Sequence, residues 1–266
     1  MARENLIAES VAELQQLLTD GKIPEIGQIA LSMNGMGWRC IHQAKDHVVL
    51  MMTRAYDWRP FARPDKEYWF GWNNYEHSQI RRELNTEVLD TLFGEERGLL
   101  LEYGPGMGKL FLLSDEEVGF EQTDSTFDWF RGHDEDELDS KRSMKDMDGD
   151  KVSWWLRGTY PSYCDSVRLV ITDGSLYGNG AFNAYGLVAA CVIPKQSDNH
   201  ARKGVPKLMP CPFCGGKAIL EKLGWPHRVY CEECGARVTG KGYAEEGEAD
   251  AIRRWNARTR KVNGSI

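Results

Sequence analysis

The chain has 266 residues, 41% of them hydrophobic and 11% aromatic, and it carries a net charge of −7. This composition excludes an intrinsically disordered chain, and the length suits one large domain plus a small one. The sequence has no run of 18 apolar residues and begins without the apolar stretch of a signal peptide. We therefore expect a cytoplasmic protein without membrane contact, whose cysteines are metal ligands or buried thiols rather than disulfides.

The charge is divided unevenly along the chain. Residues 201–266 carry 13 Lys and Arg against 7 Asp and Glu, a net charge of +6, whereas the preceding 200 residues carry 20 against 33, a net charge of −13. Within that acidic part, residues 115–150 hold 14 acidic and 4 basic side chains, a net charge of −10. An acidic body joined to a basic C-terminal module suggests different partners for the two parts.

Hydrophobic periodicity predicts the elements in chain order. Helices are predicted over residues 3–19 and 77–93, and strands at 28–33, 38–42, 47–53, 109–113, 152–157, 166–172, 175–177 and 186–193, with Asp173-Gly174 as a hairpin turn. Residues 121–150 are polar and acidic with little periodicity, and we interpret them as a long loop. The predicted organisation is an N-terminal helix (1–20), a large domain (21–196), a linker (197–207), a zinc module (208–260) and a tail (261–266).

Four of the seven cysteines form two C-x2-C pairs that are separated by 16 residues: Cys211, Cys214, Cys231 and Cys234. Each short turn presents two sulfurs to one point, so the two pairs can hold one tetrahedral Zn²⁺ ion. Cysteine pairs without a metal, or a redox-active C-x-x-C, are the alternatives. A module of about 50 residues buries little core, so we expect one structural zinc ion to supply much of its folding energy. A short helix is predicted over residues 244–258, and we expect its Ile252 and Trp255 to cover the zinc-binding part of the module, called the ribbon below.

The C-terminal module resembles a known family. Its motifs are, in order, Cys211-Pro212-Phe213-Cys214-Gly215-Gly216, then Cys231-Glu232-Glu233-Cys234-Gly235-Ala236, then Ala251-Ile252-Arg253-Arg254-Trp255-Asn256-Ala257-Arg258. Together they are similar to the Lar-type restriction-alleviation zinc ribbon of phages and prophages. The resemblance implies zinc on the four cysteines, a setting in mobile genetic elements and modulation of host restriction.

The large domain resembles a second family, an uncharacterised domain of Gram-positive bacteria and their phages that is related to C-type-lectin-like folds. The resemblance rests chiefly on Trp154-Trp155-Leu156-Arg157-Gly158 and on Asp173-Gly174-Ser175-Leu176. The arginine and proline that usually close this family are missing from Gly186-Leu187-Val188-Ala189-Ala190-Cys191. The resemblance implies an α+β, C-type-lectin-like mixed domain with long loops over one face. If the tryptophans lie on a strand, we expect one in the core and the other on a loop-lined surface.

Two charged clusters are candidate partner-binding sites. The densest charge run is Asp134, Glu135, Asp136 and Glu137, which could present carboxylates to a basic channel in place of nucleic-acid phosphates. The second cluster is Arg253, Arg254 and Arg258, which suits nucleic acid or an acidic partner surface. Asp146, Asp148 and Asp150 leave a calcium-binding loop open as an alternative. No set of nucleophile, histidine and acid can be named, so we predict a non-enzymatic protein without catalytic residues.

These features favour a phage- or prophage-type binding protein that modulates or inhibits a host nucleic-acid defence system. The expected target is a restriction or CRISPR effector, either the protein itself or its complex with nucleic acid. Two other classes stay open: a lectin-like ligand-binding module that carries a structural zinc ribbon, and a hydrolase with an unrecognised site. Salt-sensitive binding to a large protein complex would favour the first class, and binding of glycans or small molecules would favour the second.

Overall fold

The computed structural model describes residues 7–63, 73–104, 106–161, 163–195, 208–221, 228–240 and 244–259. The chain divides into two compact units, Met1–Asp198 and Asn199–Ile266. The first unit, the body, is a mixed α+β structure with several sheets, which confirms the predicted class; its relation to C-type-lectin-like folds stays a prediction. The predicted linker and tail lie outside the described residues. None of the described helices is long and apolar enough to cross a membrane.

The predicted strands all overlap strands of the structure. In chain order the body contains β1 (Ile29–Met33), β2 (Met36–Gln43), β3 (His47–Met52), β4 (Trp58–Pro60), β5 (Leu110–Phe111), β6 (Met144–Lys145), β7 (Lys151–Val152), β8 (Trp154–Thr159), β9 (Ser166–Val170), β10 (Leu176–Gly180), β11 (Ala184–Gly186) and β12 (Ala190–Pro194). Its helices are α1 (Val11–Thr19), α2 (Gln79–Glu83), α3 (Leu89–Phe93) and α4 (Glu135–Arg142), with a π-helical turn at Leu84–Val88 and 3-10 turns at Tyr75–His77, Gly94–Leu99 and Asp128–Phe130.

Two five-stranded sheets organise the body. Their strand orders are β1-β2-β3-β12-β5 and β10-β9-β8-β11-β4, while β6 and β7 form a separate hairpin. The first sheet is antiparallel throughout, and in the second β11 runs parallel to β8. The last strand of the body, β12, lies between β3 and β5 and is almost entirely buried. The C-terminal strand of the body is therefore part of its core. The predicted hairpin turn at Asp173-Gly174 is confirmed, since it joins the antiparallel strands β9 and β10.

The helix predicted for residues 1–20 is shorter than expected. Helix α1 begins only after Ser10, because the Ser10 hydroxyl caps it by accepting a hydrogen bond from the Glu13 amide at 3.1 Å. Before this cap the chain is extended, and Ala8 pairs in parallel with Leu31 of β1. The leucine spacing thus predicted the helix but not its start, which the cap and the sheet edge determine. The first six residues lie outside the described part of the chain.

Trp154 and Trp155 are both fully buried, so the expectation that one of them faces a loop-lined surface is wrong. Their side chains do leave β8 on opposite sides. The Trp154 indole N–H donates to the Arg142 carbonyl at 2.9 Å, and the Trp155 indole N–H donates to the Arg59 carbonyl at 2.9 Å. Because β8 is the middle strand of its sheet and both of its faces are covered, strand alternation does not separate a buried from an exposed position here.

Trp154→Phe and Trp155→Phe should each destabilise the body by about 1–3 kcal/mol. Each substitution removes the indole donor from a backbone carbonyl, in a buried hydrogen bond at Arg142 and a part-buried one at Arg59, and opens a small void. Trp58 on β4 is the matched control, since its side chain is 50% exposed, and Trp58→Phe should change the free energy of unfolding by less than about 0.5 kcal/mol. Urea unfolding monitored by circular dichroism measures the three variants. A near-zero cost at either buried tryptophan would contradict the packing of β8.

The acidic segment 121–150 is not the predicted long loop, because it contains helix α4, strand β6 and the turn that leads to β7. Periodicity missed α4 because only Leu138 and Arg142 of its eight residues are buried. The helix is specified by charge instead: the Asp134 carboxylate accepts a hydrogen bond from the Glu137 amide at 3.1 Å, and acidic residues fill the first turn and basic residues the last. This distribution complements the helix dipole and the unpaired N–H groups of the first turn.

The helical segment predicted over residues 77–93 is interrupted by the π-helical turn, which carries Asn85. The Asn85 side-chain oxygen accepts hydrogen bonds from the Lys109 and Leu110 amides at 2.7 and 3.2 Å, and its amide donates to the Leu110 carbonyl at 2.8 Å. Gly108 has φ +87°, and a Cβ atom there would lie 2.4 Å from the Asn85 amide. Asn85 therefore holds the glycine-rich turn that precedes β5 in place.

Candidate metal centre and charged surfaces

The second unit is a three-stranded antiparallel sheet followed by a helix. Its elements are β13 (Ala218–Glu221), β14 (Arg228–Cys231), β15 (Arg237–Thr239) and α5 (Ala244–Thr259). One face of the sheet packs against α5, and Ile252 and Trp255 are buried in that contact, as predicted. The Trp255 indole N–H also donates to the Met209 carbonyl at 2.9 Å, which ties the helix to the segment before the first cysteine pair.

Each C-x2-C pair lies in a tight turn that ends on a glycine. Gly215 and Gly235 have φ angles of +77° and +70°, in the left-handed region that favours glycine. The two turns repeat the same hydrogen bonds: Cys211 N–H to the Gly216 carbonyl at 2.8 Å and Gly215 N–H to the Cys211 carbonyl at 2.9 Å, then Cys231 N–H to the Ala236 carbonyl at 2.8 Å and Gly235 N–H to the Cys231 carbonyl at 3.1 Å. Because the two turns share the same hydrogen bonds, each turn presents its two sulfurs in the same way.

The four sulfurs converge on one point. All four Sγ atoms lie within 4.8 Å of one another, and the cross-pair distances are 3.5 Å for Cys211–Cys234 and 3.5 Å for Cys214–Cys231. A tetrahedral ion with Zn–S bonds of about 2.3 Å places its sulfurs about 3.8 Å apart, so the set fits one Zn²⁺. In the described part of the chain, this is the one cluster of three or more His, Cys, Asp or Glu side chains that could hold a metal.

The cysteine pKa values shift in opposite directions. Burial acts to raise the pKa of the Cys211 thiol, but hydrogen bonds from the Phe213 and Cys214 amides and with the Cys234 and Cys214 sulfurs outweigh it and lower that pKa to about 7. The Gly216 amide donates to Cys214 Sγ at 3.4 Å and acts to lower the pKa of Cys214, but the Cys231 and Cys234 sulfurs raise it to about 12. Against the effect of the Ala236 amide, the Cys211 sulfur likewise raises the pKa of Cys234. Amide donors to a sulfur would stabilise the thiolate that a metal binds. Four cysteine ligands would leave no open coordination position, so a zinc ion held here would stabilise the fold and supply no site for a substrate.

The predicted basic site on α5 is only partly accessible to a partner. Arg253 and Arg254 are exposed, but Arg254 is engaged within the unit: it pairs with Asp250 at 3.2 Å and donates to the Thr239 carbonyl at 3.1 Å. It thereby holds α5 against β15. The side chain of Arg258 lies outside the described residues.

The predicted acidic site forms the first turn of α4. Asp134 caps the helix, and the next three carboxylates are all exposed. Glu135 and Glu137 are 74% and 64% exposed although they contact Arg142 and Lys141. An open cleft of about 730 Å³ adjoins this turn, and it is lined by Thr53, Arg54, Asp136, Asp139, Ser140, Ser143, Lys145, Lys151, Asp173 and Ser175. The structure therefore brings the acidic run together on a helix, with charges of both signs beside it.

Arg142 fastens this helix to the body, and its side chain is fully buried. The guanidinium donates to the Val118 and Gly119 carbonyls at 2.9 and 2.8 Å, pairs with Asp139 at 3.0 Å and lies 4.0 Å from the Phe120 ring centre. A buried cation is tolerated when its donors are satisfied in this way. Arg142 therefore holds the helix that carries the acidic turn in place, and the sequence interpretation missed both the helix and this contact.

Arg157, which ends the Trp-Trp-Leu-Arg motif, forms a buried ion pair with Glu117. Its two terminal nitrogens contact the two carboxylate oxygens, and the side chains are 15% and 3% exposed. The Ser114 amide also donates to Glu117 at 2.9 Å, and Arg157 donates to the Leu112 carbonyl at 2.7 Å. Burial and the Glu117 charge raise the pKa of Tyr103, which keeps its hydroxyl protonated as a third donor to Glu117. The motif arginine therefore joins β8 to the turn after β5.

Asp146, Asp148 and Asp150 lie in the turn of the β6–β7 hairpin. The Asp146 carboxylate accepts hydrogen bonds from the Asp148 and Asp150 amides at 3.0 and 2.9 Å, so it closes the turn. Among the described residues the three carboxylates are not a converging ligand group, and the calcium alternative gains no support from this geometry.

Together, the α+β body and the ribbon with four converging cysteines define a two-part protein. The model of a family described as a domain of unknown function (DUF6273) matches residues 46–195, which is more than half of the chain, so the chain belongs to this family. The model of the restriction alleviation protein Lar matches residues 206–259, and this confirms the resemblance of the C-terminal module. No curated protein and no solved structure matches the chain significantly.

Proposed function

We propose that this protein is a non-enzymatic binding protein of a phage or prophage that modulates a host restriction system. The observation that carries the proposal is the match of residues 206–259 to restriction alleviation protein Lar, together with the complete set of four cysteines in that module. A site closed by four cysteines favours a structural metal over a catalytic one. A protein that acts by presenting an acidic surface to a basic nucleic-acid channel could also bind other defence effectors with such a channel, including CRISPR effectors.

The acidic turn of α4 supplies a contact surface for such an effector. It places Asp134, Glu135, Asp136 and Glu137 at one end of a helix that Arg142 anchors, within a segment of net charge −10. A channel built for phosphates carries a positive potential, and an exposed set of fixed carboxylates complements it. This contact is electrostatic, so we expect it to weaken as salt rises.

Plating of unmodified phage on a restricting host tests the proposed function. Expression of the wild-type chain should raise the plating efficiency on that host and leave it unchanged on an isogenic host without the restriction system. Cys211→Ser should remove the effect because it disrupts the ribbon, whereas Cys164→Ser, at an exposed thiol of the body, should retain it. Equal plating with and without the wild-type chain would contradict the proposal.

Neutralising the acidic turn should weaken binding of the defence complex without unfolding the body. The variant combines Glu135→Gln, Asp136→Asn and Glu137→Gln and retains the Asp134 cap. Each exposed charge of the first turn contributes about 0.3–1 kcal/mol to the helix, so the free energy of unfolding should fall by about 1–3 kcal/mol and the body should stay folded. The measurement is the affinity of the purified restriction complex for the immobilised chain at about 50 and about 200 mM salt, which spans the range in which surface charges are strongly screened.

The matched control for this variant removes three exposed carboxylates elsewhere on the body. Glu9→Gln, Glu95→Gln and Asp148→Asn together change the net charge by the same amount, at exposed positions outside α4. This control should bind as the wild type does and keep its salt dependence. Equal loss in both variants would show that overall charge governs binding, and an unchanged α4 variant would rule out the acidic turn as the contact.

A further inference from the structure

The sheet of the C-terminal unit has one face packed against α5, and the described residues of this unit leave its other face, called the open face below, uncovered. Cross-strand register places Tyr230 directly beside Arg237, and Arg228 lies two residues along the same strand. Val229 and Val238, the intervening residues on β14 and β15, are buried among the side chains that contact α5. Successive side chains of a strand point to opposite faces, so Arg228, Tyr230 and Arg237 share the open face.

These three side chains line a shallow concavity of about 270 Å³, together with Gly235. Both arginines are exposed and the tyrosine is half-buried. Cβ atoms of directly opposed residues in antiparallel strands are about 5 Å apart, so the Tyr230 side chain lies beside that of Arg237, and Arg228 follows on the same face of β14. Register also places Glu221, at the end of β13, opposite Arg228. Residues 201–266 nevertheless carry a net charge of +6, and the positive charge on this face belongs to Arg228 and Arg237.

A tyrosine ring with arginines on the same sheet face suits single-stranded nucleic acid. The ring can stack on an unpaired base while the guanidinium groups contact the neighbouring phosphates. In a duplex each base is already stacked on its neighbours, so Tyr230 would find no free base face on which to stack. A protein partner would require an interface of about 1,000 Å² with an apolar centre, whereas the described apolar side chains of this face are Tyr230 and the half-buried Ile219.

We propose that the open face of this sheet binds single-stranded DNA or RNA, with Tyr230 stacking on a base and Arg228 and Arg237 contacting phosphates. The contact is thereby assigned to the sheet, which carries Tyr230, rather than to α5. The inference goes beyond the proposed function, because the chain can bind a single strand whether or not it alters restriction.

The test is fluorescence anisotropy with the zinc-loaded full-length protein and a labelled oligothymidylate of about 12 nucleotides, within the site size of small single-strand binders. The wild type should bind this strand more tightly than a duplex of equal length. Tyr230→Ala should weaken binding roughly 5- to 100-fold, as expected for the loss of one stacked base. Tyr230→Phe should retain binding, because the ring remains.

The arginine variants separate phosphate contacts from general charge. Arg228→Gln and Arg237→Gln should each reduce the slope of log affinity against log salt by about 0.7, since each loses one phosphate contact. The matched control is Arg97→Gln, which removes the same charge from an exposed side chain of the body. It should leave the slope unchanged, because an arginine that touches no phosphate releases no counterion.

Three outcomes would overturn the assignment. The first is equal weakening by Arg97→Gln and Arg228→Gln with no effect of Tyr230→Ala, which would mean attraction by general charge. The second is equal competition by duplex, and the third is equal competition by polyglutamate, which would assign the face to an acidic protein. The zinc content of each variant separates a lost contact from misfolding, and Tyr230→Phe with the arginine variants carries the test if Tyr230→Ala loses zinc. The assay contains no restriction enzyme, so its failure leaves the phage-plating result untouched.

Discussion

Cys211→Ser should abolish zinc binding and unfold the C-terminal unit while the body keeps its structure. A structural zinc site contributes an apparent 10–16 kcal/mol, as a rough range, to the folding of a small module near neutral pH. The buried core of this unit is small and includes two of the ligands themselves, Cys211 and Cys231. Without the fourth sulfur, little remains to hold the two cysteine turns together.

Elemental analysis and hydrogen exchange measure this effect in one preparation. The wild type should hold about one zinc per chain, with slow exchange of the β14 amides, and Cys211→Ser should lose both. A chelator should act on the wild type in the same way. Cys164→Ser removes a solvent-exposed thiol of the body and should keep the zinc and the protection. A zinc content in Cys211→Ser equal to that of the wild type would rule out Cys211 as a required ligand, and loss of protection in β3 and β12 would show that the body depends on the ribbon.

The ribbon could be predicted from the sequence because its determinants are local. A tetrahedral ion needs two sulfurs from each short turn. Each C-x2-C pair, with the glycine that follows it, provides them within six residues. The strand positions of the body could also be predicted, since they follow the apolar runs. The C-type-lectin-like relationship has no such local signal, and it stays a prediction.

The features that the sequence interpretation missed depend on contacts between distant residues. Arg142 meets the Val118 carbonyl, and Arg157 meets Glu117 40 residues away. No local sequence pattern indicates that these arginines are buried, and an arginine is ordinarily a surface residue. Burial of both tryptophans likewise depends on which elements cover the two faces of β8.

Two of the missed features did have a local signal. Asp134 stands three residues before Glu137, which is the spacing of a helix cap, so α4 could have been recognised from its first turn. On β14, Arg228 and Tyr230 alternate with Val229 and Cys231, a period of two that separates an accessible from a buried face.

Arg157→Met should destabilise the body by about 3–5 kcal/mol, because it leaves the Glu117 carboxylate buried without its cation. Glu117 is only 3% exposed, so water cannot replace the lost partner. Glu117→Leu should cost a similar amount for the converse reason. The double variant should recover much of the loss, since no uncompensated charge remains and the two side chains can pack as an apolar pair.

The matched control is the exposed pair of Arg97 and Asp90, whose side chains are 54% and 57% exposed. Arg97→Met should cost at most about 1 kcal/mol. Urea unfolding of the single and double variants gives the coupling energy of the buried pair. Additive costs for Glu117→Leu and Arg157→Met would show that the two side chains act independently. A large coupling would make the arginine of the Trp-Trp-Leu-Arg motif a determinant of folding, and a ligand of this domain would then have to be sought on its exposed surfaces.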